Sequence, residues 1–372
     1  MNSADAWVDE DGNPLAPRAN SRLIGHPDAE RTLRSAFEGG AMAHSWLISG
    51  SKGIGKATFC FRMARYVLSG SATAGGLFGD DVAEPGDEGL WTDPKSPTFK
   101  RVAASGHTDL LSVERSLNDK GKLRNEIVVD DIRKIGGFMR LTAGEGGWRV
   151  VVIDCADEMN RNAANAVLKV LEEPPPRTLL LLVSHNPGRL LPTIRSRCSR
   201  LSLSPLSDAT VAELLEKYES GLTPDDAATI ARLSDGSIGT ALSLAEAGGL
   251  DLYRSVTALL ADLPRLNTSK LHDFSEKLGR AGAEKTYHTA MAQLTGWLVR
   301  IIRFSAKRSC APGVPENEQQ ILSRLSAAAG LERWLEVWEN TNTLMERADA
   351  VNLDRAQVVL SVFLSIERAV RA

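Results

Sequence analysis

The sequence predicts an α/β domain, in which helices cover both faces of a parallel sheet, followed by regions that are helical only. Near-continuous apolar runs, among them SWLIS, WRVVVIDCADEMN and TLLLLVS, alternate with segments of helical periodicity, as is typical of parallel strands buried on both faces. A glycine-rich stretch lies between the first of these strands and a predicted helix. After about Pro205 only helical patterns remain. These three observations set the predicted fold class.

The elements at the start of the chain follow from caps and periodicity. Residues 1–20 are predicted to form a polar tail that contains Pro and Gly. The segment HPDAERTLRSAFEGG predicts an amphipathic helix that ends at Gly39 and Gly40. After the glycine-rich stretch, KATFCFRMARYVLSG predicts a second helix that ends at Gly70. Together they begin an α/β domain that we place at 21–205.

Within that domain, residues 70–106 are predicted to be a flexible insertion, because Gly, Asp and Pro dominate there without a sustained period. Regular structure is expected from about Phe99. NEIVVDDIRKIGGFMRLT then predicts a strand edge and a helix, and RNAANAVLKVLEE predicts a helix stopped by three prolines. Beyond this domain we expect a small helical domain over 206–263 and a longer all-helical domain over 264–372.

Composition limits the possible functions. The chain has 372 residues, of which 43% are hydrophobic and 24% charged, as in an ordinary globular protein. A net charge of −3 and a pI near 6.1 argue against a protein coated in basic charge for nucleic acid. No apolar run approaches the roughly 20 residues that span a bilayer. The four cysteines form no C-x-x-C pair, so reduced thiols, no disulfide and a cytoplasmic location are expected.

The stretch SGSKGIGKAT resembles a phosphate-binding loop, G-x-x-x-x-G-K-[ST], with Gly50, Gly53, Gly55 and Lys56 in place. In such loops backbone N–H groups converge on phosphates at a helix N-terminus, and the lysine reaches the terminal phosphates. Here Ala57 stands where a hydroxyl should bind Mg²⁺, and Thr58 carries the hydroxyl one residue late. The pattern predicts a P-loop fold and leaves binding of ATP and Mg²⁺ open.

The strand WRVVVIDCADEMN raises a similar question about hydrolysis. A phosphate-loop ATPase needs an Asp to help hold Mg²⁺, followed by a Glu that polarises the attacking water. Asp154 occupies the first position, but Cys155 stands in the second. A thiol does not replace a carboxylate base in this role. We interpret Asp157 and Glu158, which lie beyond the strand end, as charges at a helix N-terminus. Loss of intrinsic ATP hydrolysis is therefore expected.

Several longer stretches resemble the bacterial DNA polymerase III clamp-loader subunits, which are AAA+ ATPases. They are LIGHPDAERTLRSAFEGGAMAHSWLISGSKGIGKAT, GHTDLLSVER, NAANAVLKVLEEPPPRTLLLLVSHNPGRLLPTIRSRCSRLSL and NLDRAQVVLSVFLSIERA. The resemblance implies an AAA+ domain, a helical lid at 206–263 and a C-terminal oligomerisation collar at 264–372. It also implies gamma/tau-type and delta-type partners in a heteropentameric ring that loads a sliding clamp on primed DNA. No membrane partner is expected. The degraded loop is most similar to the type of subunit whose nucleotide machinery has decayed.

The resemblance also assigns roles to particular residues. It implies that Arg197, in the SRC sequence, reaches into a neighbouring subunit's ATP site, where a guanidinium stabilises the charge that develops in phosphoryl transfer. Ser184 corresponds to a polar nucleotide-sensing residue, and Gly239 stands where a sensing arginine is usual. Zinc is not expected, because 70–106 contains no cysteine for the four-cysteine module of many relatives.

Two other functions remain possible at this stage. The first is a self-sufficient AAA+ ATPase of the gamma/tau type, against which Ala57, Cys155 and Gly239 argue. The second is a nucleic-acid-binding module, against which the acidic pI argues. In the C-terminal region, Trp297, Trp334 and Trp338 are either core residues or interface anchors. The cluster of Arg300, Arg303, Lys307 and Arg308 is interpreted as a solvated face.

Overall fold

The computed structural model describes residues 16–73, 89–141, 143–144, 147–219, 221–307, 309, 313–351 and 353–371. Most of the predicted N-terminal tail, residues 1–15, lies outside these ranges. The chain divides into two compact units, Met1–Ala241 and Leu242–Ala372. The division falls inside the segment predicted as the lid domain, so that its first two helices belong to the first unit. None of the helices in the described ranges combines the length and apolarity needed to cross a bilayer.

The first unit is built on a five-stranded parallel sheet, which confirms the predicted fold class. The strands are β1 (Ser45–Ser49), β2 (Leu110–Val113), β3 (Arg149–Ile153), β4 (Thr178–Ser184) and β5 (Ser199–Ser202). They lie in the order β2-β3-β4-β1-β5. Every residue of β3 and β4 is buried, because both faces of these central strands are covered.

Helices pack on both faces of this sheet. They are α1 (Pro27–Glu38), α2 (Lys56–Thr73), α3 (Pro97–Ala103), α4 (Val129–Arg140), α5 (Arg161–Glu172) and the short α6 (Pro192–Arg195). One core cluster joins α1 and α2 to Val150 and Val152. The other joins α4 and α5 to Val151 and Ile153. Alternate side chains of a strand point to opposite faces, so that β3 contributes to both cores.

Part of the segment predicted as a flexible insertion is ordered and packed. Helix α2 continues past Gly70 to Thr73, and α3 begins at Pro97. Leu90 is fully buried, and its backbone N–H donates to a Glu30 carboxylate oxygen at 3.2 Å. Helix α3 agrees with the regular structure expected from about Phe99, whereas a flexible insertion does not describe the end of α2 or the buried Leu90, which a distant carboxylate anchors. Residues 74–88 lie outside the described residues.

Three helices follow the sheet: α7 (Asp208–Tyr218), α8 (Pro224–Leu233) and α9 (Ile238–Glu246). Ser207 and Thr223 cap the first two, since their side-chain oxygens accept the N–H groups of Thr210 and Asp226. The boundary between the two compact units lies within α9.

The second unit is all-helical in its described residues. Its helices are α10 (Gly249–Ala261), α11 (Thr268–Gly279), α12 (Glu284–Lys307), α13 (Glu316–Ala328), α14 (Leu331–Val351) and α15 (Arg355–Arg371). Trp297 and Trp334 are fully buried in it, in agreement with the core alternative, whereas Trp338 is half-buried. Arg300 is also not simply solvated: it pairs with the buried Glu318 at 3.3 Å and stacks over Trp297. Arg308 lies outside the described residues.

Candidate nucleotide site and arginine edge

The loop between β1 and α2 has the backbone of a P-loop. Gly50, Gly53 and Gly55 have φ angles of 145°, 77° and 97°, in the region that only glycine adopts readily. A Cβ atom at Gly50 would lie 2.5 Å from the Leu203 carbonyl oxygen. His26 also contacts the loop, because its Nε2 lies 2.8 Å from the Ile54 carbonyl oxygen. The glycines are thus needed for the shape of the loop, whether or not a phosphate binds.

Lys56 is the first residue of α2, and its ammonium group is turned into the loop. Its Nζ donates to the carbonyl oxygens of Gly50 at 2.8 Å and Ser51 at 2.5 Å. Burial lowers the pKa of Lys56 to about 8, although the neighbouring Cys155 and Asp154 act in the opposite direction. Because these two carbonyl oxygens accept hydrogen bonds from Lys56, two of its three ammonium protons are bound by the loop itself.

Asp154 and Cys155 follow β3 directly, at the edge of the sheet where the P-loop lies. Cys155 has left-handed backbone angles, φ 58° and ψ 54°, and its Sγ lies 3.3 Å from Nε2 of His185. Burial, followed by the negative charge of Asp154, raises the pKa of the Cys155 thiol far above its usual value. Burial also raises the pKa of the Asp154 carboxyl. At neutral pH the residue in the position of the catalytic base is therefore an uncharged thiol.

Asp157 has a role beyond the predicted one. It lies in a one-turn 3₁₀ helix, Ala156–Glu158. Its two carboxylate oxygens accept the backbone N–H groups of His185 at 3.0 Å and Asn186 at 3.1 Å. Burial opposes ionisation, but these N–H donors hold the pKa of the Asp157 carboxyl below its usual value. Asp157 therefore lies in the first turn of a short helix, as predicted, and also joins the turn after β3 to the residues that follow β4.

Ser184 is the last residue of β4, which pairs with β1, the strand before the P-loop, and His185 follows it. Ser184 is fully buried and stands opposite Ser49 in the register of β4 with β1. Burial, and then the charge of Lys56, lower the pKa of His185 to about 4, so the imidazole is neutral. His185 was not among the predicted site residues. Its position directly after Ser184, at the end of the strand next to β3, is the signal that could have revealed it.

The oxygen donors at this site do not fit a bound magnesium ion well. Ala57 has no side-chain oxygen, and Thr58 is buried in the first turn of α2. Mg²⁺ requires near-octahedral oxygen ligands, which the P-loop hydroxyl and a strand-end carboxylate would normally begin to supply. Among the residues that the structure describes, no three His, Cys, Asp or Glu side chains are placed to hold a metal ion.

The start of helix α9 packs directly on the P-loop. The Gly239 N–H donates to the Gly53 carbonyl oxygen at 2.9 Å. A Cβ atom at Gly239 would lie 3.0 Å from the Gly53 Cα, and one at Gly53 would lie 2.4 Å from Ser237 Oγ. The position at which the resemblance implies a sensing arginine is therefore in close backbone contact with the P-loop, which must shift to admit a side chain.

We expect Gly239→Arg to destabilise the first unit by about 1–3 kcal/mol, because the new side chain must displace the P-loop backbone. The matched control is Gly137→Arg in α4, where a Cβ atom meets nothing within 4 Å. There the change should stabilise the helix by roughly 0.5–1 kcal/mol. Urea unfolding midpoints of both variants measure the difference. A Gly239→Arg chain as stable as the control would contradict this account of the contact.

Arg197 lies at the other end of the strands, beside the first residue of β1. It follows α6 and precedes β5, and its carbonyl oxygen accepts the hydroxyl of Ser45, the first residue of β1. The P-loop begins where β1 ends, at Ser49, so that the length of the strand separates Arg197 from its own chain's loop. The guanidinium is exposed, 2.9 Å from a Glu172 carboxylate oxygen and 3.1 Å from the Thr193 carbonyl oxygen. It therefore faces away from the P-loop edge.

Comparisons with known proteins show sequence similarity to DNA polymerase III subunits. Residues 25–207 match the family described as DNA polymerase III, delta subunit. The DNA polymerase III subunit delta′ of Pseudomonas aeruginosa is 39% identical over 170 residues, which are 45% of this chain and 46% of that protein. The corresponding subunit of Escherichia coli is 31% identical over 222 residues, 59% of each chain. The chain thus spans about half the length of the relatives it matches.

A solved structure of a DNA polymerase III gamma subunit-related protein from Thermotoga maritima is more distant, with 16% identity and a TM-score of 0.40. That similarity covers 92% of this chain and all of the other. The family match, residues 25–207, lies within the first unit, which contains the P-loop, Cys155 and Arg197. Through residues 25–207, this chain is therefore similar to the family described as DNA polymerase III, delta subunit, and it is also similar to the delta′ subunits named above.

Proposed function

We propose that the protein is a non-hydrolysing delta-prime subunit of a replicative clamp loader, the stator of a heteropentameric ring in the cytoplasm. Its partners would be gamma/tau-type and delta-type subunits. Together they would use ATP to open a sliding clamp and place it on primed DNA. This subunit would hydrolyse no ATP itself and would supply Arg197 to the ATP site of a neighbour.

The observation that carries this proposal is the state of Cys155. A general base must lie within reach of its proton and have a pKa near the operating pH. The Cys155 thiol has a strongly raised pKa, and its nearest imidazole, His185, is neutral with a pKa of about 4. Neither group supplies the negative charge that orients an attacking water. The P-loop then serves as architecture, held between the sheet and the start of α9.

The placement of Arg197 supports the second half of the proposal. An arginine at the other end of the strands does not reach its own chain's P-loop, so any role in phosphoryl transfer is in another subunit's site. Its side chain is 36% exposed, and its guanidinium contacts the exposed residues Glu172 and Thr193, which leaves it accessible to a neighbouring subunit. The delta′ names of the relatives favour the same assignment over a gamma/tau-type ATPase.

We expect the isolated chain to show no ATP hydrolysis above background, and Cys155→Glu alone should not restore it, because Ala57 still provides no ligand for Mg²⁺. Phosphate release at saturating Mg–ATP measures both, with Lys56→Ala as the background control. Turnover of the wild-type chain that Lys56→Ala abolishes would instead favour the gamma/tau-type ATPase. Brisk hydrolysis by Cys155→Glu would show that the lost hydroxyl at position 57 matters little.

Assembly is tested separately. The chain should co-purify with gamma/tau-type and delta-type subunits, and the mass of the complex should correspond to five subunits with one copy of this chain. A chain that remains alone in the presence of both partners would contradict the proposed role. Salt-dependent DNA binding by the lone chain would instead favour a nucleic-acid-binding module.

A further inference from the structure

Glu172 occupies a position that helix electrostatics disfavours. It is the last residue of α5, and Glu173 follows as the C-cap. The C-terminal end of a helix carries partial negative charge, so that cations are favoured there and carboxylates are not. Two successive glutamates at this end require a compensating partner. For Glu172 that partner is Arg197, whose Nη2 lies 2.9 Å from its Oε1.

The ion pair fixes the direction of the guanidinium as well as its charge. Arg197 donates from Nη2 to Glu172 and from Nη1 to the Thr193 carbonyl oxygen at 3.1 Å. Two acceptors on different nitrogens of a planar group define the plane in which it lies. A guanidinium has five N–H donors, so at least three remain for another ligand.

Both ends of this pair are tied to the start of β1. Ser45 Oγ donates to the Arg197 carbonyl oxygen at 2.8 Å, which holds the backbone of the arginine. His44 Nε2 lies 3.2 Å from the carbonyl oxygen of Leu171, the residue before Glu172. The carboxylate and the arginine therefore share one support, the beginning of β1, and their separation does not depend on a mobile loop.

We propose that Glu172 is a positioning residue, which holds the Arg197 guanidinium in the orientation required by the neighbouring subunit's ATP site. This inference rests on the proposed function. The side chains of the pair, Arg197 and Glu172, are 36% and 49% exposed, so the pair adds little to the stability of the fold. Its effect is on geometry: an arginine confined before the partner binds does not have to be ordered in the transition state.

The test uses the reconstituted complex with gamma/tau-type and delta-type subunits, and its clamp- and DNA-stimulated ATPase. The part of the rate that depends on Arg197 is the difference between wild-type and Arg197→Ala complexes. We expect Glu172→Ala to reduce that part about tenfold, through kcat with KM for ATP unchanged, since a misplaced catalytic group can cost up to roughly 10²-fold. Glu172→Gln, which keeps an acceptor oxygen, should recover part of the loss.

Glu173→Ala is the matched control, because it removes the adjacent exposed carboxylate and should leave the rate unchanged. In the Arg197→Ala background, Glu172→Ala should have no further effect, which a merely structural role would not predict. If Arg197→Ala itself leaves the rate unchanged, the proposed in-trans role is wrong. If Arg197→Ala slows the complex but Glu172→Ala does not, only the positioning role is wrong. Failure of Glu172→Ala chains to assemble would also overturn it.

Discussion

Replacing Arg197 by alanine should silence one ATP site of the assembled complex while leaving the complex intact. A finger arginine contributes roughly 10³–10⁵ in rate at the site it serves, because its permanent charge meets the charge that develops on the transferred phosphoryl group. Within the chain, the variant removes only an exposed ion pair and one hydrogen bond to a carbonyl oxygen. These contribute little to folding, so the expected effect is catalytic.

The measurement is the clamp- and DNA-stimulated ATPase of the reconstituted complex, with assembly checked by gel filtration. Arg200→Ala is a suitable control, since it removes an exposed arginine of β5 that donates only a long bond, 3.4 Å, to the Arg195 carbonyl oxygen. Arg197→Lys should rescue poorly, because an ammonium is a point charge without the planar fork. Full activity of a properly assembled Arg197→Ala complex would reduce this subunit to a passive scaffold.

The largest expected loss of stability comes from Glu30→Ala. Glu30 and Arg62 form an ion pair between α1 and α2 with 7% and 3% of their side chains exposed and an N–O distance of 2.7 Å. The variant leaves a guanidinium buried without its carboxylate and also frees the N–H of Leu90. Removing one partner of a buried pair costs about 3–5 kcal/mol, because the remaining charge is uncompensated.

Urea unfolding measures this difference, and Asp130→Ala is the control. Asp130 pairs with Arg133 at the surface, where both side chains are more than 70% exposed, and its loss should cost less than about 1 kcal/mol. The double change of Glu30 and Arg62 to methionine should recover much of the loss, because no buried charge remains. Equal losses for Glu30→Ala and Asp130→Ala would show that burial does not control the strength of these pairs.

Much of the first unit could be predicted from the sequence. Apolar runs indicated the buried strands, and Gly53 and Gly55 before Lys56 indicated a P-loop between a strand and a helix. The presence of Cys155 in place of a carboxylate could be read directly from the sequence. Each of these inferences uses residues within a few positions of one another, for which spacing along the chain determines position in space.

Other features depended on partners distant in sequence. The segment near Leu90 resembled a loop by composition, but the Glu30 carboxylate anchors it. Asp157 resembled a helix-terminal charge, but the turn after β4 supplies its hydrogen-bond donors. Trp297 has the helical spacing of either a core or an interface residue, and only packing of the second unit shows that it is buried. Periodicity does not distinguish these cases.

By itself, the sequence indicated the order of strands and helices, the similarity to the DNA polymerase III delta-subunit family, and the residue types present at the candidate nucleotide site. The tertiary structure alone decided what those residues meet. It brings Gly239 into close backbone contact with Gly53, and it brings Glu172 to Arg197 at the N-terminal ends of the strands. The reason is physical: local structure follows from spacing along the chain, whereas burial, pKa and ion pairing depend on groups that only the folded sheet brings within a few ångströms.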